Sequence, residues 1–77
     1  MADYQPIACA LHERLEFSVL RKIPLALHYA DEKGNFRERV LPLDVITRDH
    51  AEWLKFQREN GDVAEIRLDL IVSFKEH

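Results

Sequence analysis

The chain is short of the residues that most often advertise chemistry. Its 77 residues include two glycines, three prolines and one cysteine, Cys9. A single cysteine excludes an intramolecular disulfide framework, and a lone thiol fits a reducing cytosol. The two glycines, Gly34 and Gly61, stand far apart and make no glycine-rich phosphate loop. No stretch approaches the roughly 18 apolar residues that cross a membrane as a helix. No basic start leads into an apolar segment, so no signal peptide is expected. Positive charge is in deficit, with 11 Lys and Arg against 14 Asp and Glu and a net charge of -3. That balance argues against a general nucleic-acid binder and suits an acidic protein that meets a basic partner.

What is present reads as one small domain spanning residues 1–77, since 47% hydrophobic and 32% charged residues are globular proportions. Residues 1–7 read as an ordered arm or a frayed tail, with Pro6 as a candidate entry to a helix. From 8 to about 21 there is no Gly or Pro, and Leu11, Leu15 and Val19 recur at helical spacing, with Ala8 extending the row. Arg21 and Lys22 suit the negative end of the helix dipole, and Pro24 stops the helix. The period then becomes that of strands, expected over about 23–30, 36–46, 51–58, 63–69 and 71–75. In the second of these, Phe36, Glu38 and Val40 share one face while Leu41 and Leu43 lie on the other. An apolar face that flips midway, beside Pro42, predicts a bulge and a bent strand. Asn60–Gly61 is a strong hairpin signal. The fold expected is therefore mainly β: an N-terminal α-helix and then five antiparallel strands curled into a small, strongly bent barrel.

His12, Glu13 and Glu16 follow one another around the flank of the helix's apolar stripe. As an acid/base pair the two glutamates lack a nucleophile or any converging group, so they read as solvated surface or as an interface. The histidines, His12, His28, His50 and His77, include no pair at i,i+4 spacing, and Cys9 with His12 is a lone C-x-x-H. No metal and no cofactor is expected, and Cys9 reads as a small packing residue. Trp53, Lys55 and Arg67 make a candidate patch for stacking bases and meeting phosphates. Phe17 lies away from the apolar stripe and between glutamates, as an aromatic in a protein contact does. Spacing alone thus describes a small binding module rather than an enzyme, with protein or nucleic acid as the partner undecided.

The same residues carry a resemblance. Tyr4, Pro6, Ile7 and Cys9, followed by Leu15–Glu16 on a short helix, resemble the opening of the Rho-binding antiterminators, the Rof (YaeO) family. EIRLDLIVSF at 65–74 is similar to that family's close, through Glu65, Arg67, Leu68, Asp69, Ile71, Ser73 and Phe74, and LDVITR at 43–48 to its central segment. The similarity runs through almost the whole chain. It implies an Sm-like barrel behind an N-terminal helix, in a cytoplasmic bacterial protein that is a monomer when free. It implies binding to transcription termination factor Rho, an RNA-dependent helicase, at the RNA-binding site of Rho's N-terminal domain, and so reduced Rho-dependent termination, with no direct nucleic-acid contact. The family's contacts fall here on His12, Glu13, Glu16, Arg48 and His50. His12 stands where relatives carry an aromatic residue, Asp49 where a basic one is expected, and Leu70 in place of a lysine. The alternative is an Sm-like RNA-binding protein.

Overall fold

A computed structural model describes residues 9–76. Tyr4, Pro6, Ile7 and Ala8, which carry the expected arm and helix start, and His77 lie outside the described residues. The architecture is mainly β, with one N-terminal helix and five antiparallel strands in a single bent sheet. Helix α1 spans Cys9–Arg21. The strands are β1 Leu25–Asp31, β2 Gly34–Arg48, β3 Ala51–Arg58, β4 Val63–Arg67 and β5 Ile71–Glu76, and a 3-10 turn at Leu68–Leu70 separates the last two. Residues 68 and 69, expected as strand, belong instead to this turn, where Arg67 and Asp69 pair across it and Leu68 is fully buried. The sheet order is β4-β3-β2-β1-β5, so the last strand returns beside the first. β4 and β5 are its two edges, and the barrel stays open between them.

Strand length dictates the bend. Fifteen residues in β2 would reach about 50 Å if straight, yet the longest dimension of the fold is 30 Å. The first half of β2 pairs with β1 and the second half with β3, and Val40 alone belongs to both ladders. The register shifts between Pro42 and Asp44, which leaves Leu43 as the extra residue of a bulge. Before it, Val40 and Pro42 face inward; after it, Val45 does, opposite Leu54. Leu43 therefore joins no apolar face and is 38% exposed. The core lies inside this curve, where Leu25, Leu27, Tyr29, Leu54, Phe56, Ile66, Leu68 and Phe74 meet Leu15 of the helix. Glu38 also faces inward, opposite Leu27, and needs partners there. The Arg58 Nε donates to its Oε1 at 2.9 Å and the Tyr29 hydroxyl donates to its Oε2. Burial, reinforced by that bond to Glu38, raises the Tyr29 pKa above its ordinary value of 10.0. A folded tyrosine that holds its proton longer than the unfolded one loses stabilising effect as pH rises. Stability is expected to fall once pH passes 10.0, and the fall should be shallower in Tyr29→Phe; parallel chemical denaturation curves check this.

The helix differs from its expected face. Leu15 and Ser18 are buried, Val19 and His12 are half-buried, and Leu11 is 41% exposed. Ser18 donates to the Arg14 carbonyl at 3.1 Å, so a small polar residue is satisfied where the helix lies closest to the sheet. Cys9, expected in packing, is exposed. The helix ends in a Schellman motif: Lys22 N–H reaches the Val19 carbonyl and Ile23 N–H the Ser18 carbonyl, with Lys22 at φ 54°. Glycine is the usual residue at that left-handed position, and a side chain there costs about 1 kcal/mol. Lys22→Gly is expected to raise the melting temperature by about 4–8 °C, as read by circular dichroism; an unchanged transition would deny the strain.

Candidate functional site

His12 is the hub of the helix's acidic side. Its Nδ1 lies 2.6 Å from Glu16 Oε1, one turn on, and its Nε2 meets Glu52 Oε2 on β3. An imidazole donates to both carboxylates only when both nitrogens carry protons. Glu52 faces the helix because it is in phase with the inward residues Leu54 and Phe56. Together with Asp44, Val45 and Thr47 of β2, and Val19 and Leu20 of α1, these residues line an open groove of about 400 Å³. Its lining combines the aliphatic Val19, Leu20 and Val45 with three carboxylates, Glu16, Asp44 and Glu52. Leu20 is 81% exposed, the most exposed large apolar side chain described. Glu13 is exposed on the same helix and makes no ion pair among the described residues.

The other expected contacts lie on the hairpin between β2 and β3. Asp49 and His50 both have positive φ, 54° and 61°, as a two-residue turn of the type that suits strand twist. The Thr47–Glu52 rung is the second before this turn, so His50 is carried at the groove's end of the molecule. Arg48 belongs to the opposite face of the hairpin. Its guanidinium lies 4.7 Å from the Trp53 ring centroid and its Nη2 2.8 Å from Glu65 Oε1. The structure thus joins His12 and Glu16, adds Asp44, Glu52 and Leu20 to them, and separates Arg48.

The candidate patch for nucleic acid is engaged otherwise. Arg48 covers Trp53, whose indole N–H donates to the Arg48 carbonyl at 3.3 Å. Arg67 grips Asp69 through two bonds of 2.7 and 2.8 Å. Lys55 stands in register between Asp44 and Glu65. Among the described residues, no three His, Cys, Asp or Glu side chains are arranged to hold a metal. No helix among them is long and apolar enough to cross a membrane.

No known family model matches the chain, and no curated protein does. Among solved structures it is similar to proteasome accessory factor B/C (PafBC) of Arthrobacter aurescens, at 18% identity and a TM-score of 0.78. The match covers 95% of this chain and 12% of that one, so the chain spans a small part of the protein it resembles. At that identity the likeness concerns the fold alone.

Proposed function

We propose that this protein binds transcription termination factor Rho at the RNA-binding site of its N-terminal domain and so reduces Rho-dependent termination. One observation carries the reading: a groove lined by the carboxylates of Glu16, Asp44 and Glu52 together with the aliphatic side chains of Val19, Val45 and the exposed Leu20. A surface that binds RNA is basic, and such a groove offers carboxylates to its lysines and arginines. The aliphatic lining accommodates the alkyl stems of those side chains. The sequence resemblance to the Rof family names Rho; the groove supplies the chemistry. His12, Glu13, Glu16 and His50 lie at this end, with Glu52 and Asp44 as added contacts. Arg48 contributes from the far side of the hairpin. The protein acts here as a binding module in the cytoplasm, without catalysis.

Titration of intact Rho from the source organism with the protein tests this. Saturable binding that weakens as salt rises from low to physiological ionic strength is expected, because the contacts are partly exposed charge pairs. Absence of binding at low salt would overturn the proposal.

A further inference from the structure

Arg48, Arg58 and Arg67 each hold a carboxylate, from Glu65, Glu38 and Asp69. Arg37, Arg39 and Lys75 make no ion pair within 4.0 Å among the described residues. The three cations also share one face. Ala26 on β1 pairs with Arg39 on β2 and with Lys75 on β5, while His28 pairs with Arg37 and Ser73. Leu25, Leu27 and Tyr29 are buried, so the alternate residues Ala26 and His28, and everything opposite them, face outward. Two rungs across three adjacent strands therefore present Arg39–Ala26–Lys75 and Arg37–His28–Ser73.

These residues line an open groove of about 690 Å³, and Arg14 of the helix closes one side of it, 5.2 Å from the Phe74 ring centroid. The groove's one acidic residue, Glu38, points inward and is already bound by Arg58 and Tyr29. What remains is a row of unneutralised cations, a small alanine at its centre that lets a ligand approach the sheet, and hydroxyl and imidazole groups beside it.

We propose that this outward face of β1, β2 and β5 binds the phosphate backbone of single-stranded nucleic acid. Arginine's planar fork matches phosphate oxygens with two parallel donors, and two of the three central cations are arginines. Arg37 and Arg39 stand two residues apart on one strand, about 6.6 Å, so they meet successive groups of a chain rather than a single ion. No outward aromatic lines the groove, so the contact reads backbone charge and not base identity. The face is separate from the acidic groove and the inference does not rest on Rho.

Fluorescence anisotropy of a fluorescein-labelled oligouridylate, at low salt, tests the proposal on the whole chain. Saturable binding is expected, with affinity falling with salt at a log–log slope of about -2 to -3, the value for three or four phosphates met on a single strand. Combining Arg37→Ala, Arg39→Ala and Lys75→Ala should weaken binding at least tenfold, while Glu16→Lys should leave it intact or tighten it. Amide shifts of Ala26, His28 and Ser73 on adding the oligonucleotide, read by NMR on the wild-type chain, locate the site even if the triple variant folds poorly. No binding at about 500 µM protein, well above the usual range for non-specific contacts, would overturn the proposal. Equal binding by the folded triple variant would overturn it too. Tighter binding of a polyglutamate peptide would assign the face to acidic protein instead.

Discussion

Leu54→Ala is expected to destabilise the fold by about 2–5 kcal/mol, the cost of a buried leucine truncated in a tight core. Leu54 is 0% exposed at the middle of β3 and lies in register with Val45 on one side and Ile66 on the other. It therefore joins the half of β2 beyond the bulge to β4. A domain of this size holds about 4–12 kcal/mol in total, so the variant keeps a fraction of its stability. The melting temperature should fall by about 10–30 °C, at the usual several degrees per kcal/mol. Leu20→Ala is the counterpart: at 81% exposure it should change stability by less than about 0.5 kcal/mol while weakening the proposed Rho complex. Equal stability losses in the two variants would mean that the core is placed wrongly.

Glu16→Lys is expected to weaken the proposed Rho complex by about 2 kcal/mol, roughly thirtyfold, the size of one lost charge-assisted contact. The substitution places a cation on the groove that the proposal sets against a basic surface, and it leaves Glu52 to His12 alone. Glu16 is half exposed, so the helix survives the change and the loss is read in affinity, with an unchanged melting temperature as its control. Arg48→Ala should cost less. Its guanidinium is already committed to Glu65 and Trp53, and removing it loosens the hairpin more than it removes a contact. An Arg48→Ala complex weaker than the Glu16→Lys complex would move the interface to the other face of the hairpin.

Much of the fold is legible in the chain because its signals are local. The alternation of Leu25, Leu27 and Tyr29, and the phase flip around Pro42, state β1 and the bulge directly. What escapes is set by partners distant in sequence. Leu11 fits the helical stripe yet stays exposed, because the sheet reaches the helix along Leu15 and Ser18 instead. Asn60–Gly61 marks the hairpin, but not that its turn takes three residues. Gly61 N–H bonds the Arg58 carbonyl, Arg58 N–H bonds the Asp62 carbonyl, and Gly61 sits at φ 95°. Lys22 at a left-handed position carries no sequence mark at all, since glycine is the residue that would announce it.

The site follows the same rule. Periodicity groups His12, Glu13 and Glu16 because they share one helix. Glu52 was within reach: it is in phase with Leu54 and Phe56, and a carboxylate on a strand's buried side needs a partner. That the partner is His12, 40 residues away, is a matter of tertiary packing. Arg48 and His50 are neighbours in sequence but are sent to different parts of the hairpin by strand alternation and the turn. Net charge hid most. A value of -3 averages an acidic groove at one end with a basic face across β1, β2 and β5. Composition cannot express that separation, which only the strand order creates.

Release of labelled RNA from the primary site of intact Rho, followed as the protein is added, tests the central claim most directly. The acidic groove should displace the RNA in a saturable manner, with Glu16→Lys shifting the midpoint roughly thirtyfold to higher concentration and with displacement weakening as salt rises. RNA that stays bound to Rho at saturating protein, or a Glu16→Lys midpoint equal to that of the wild-type chain, would contradict it.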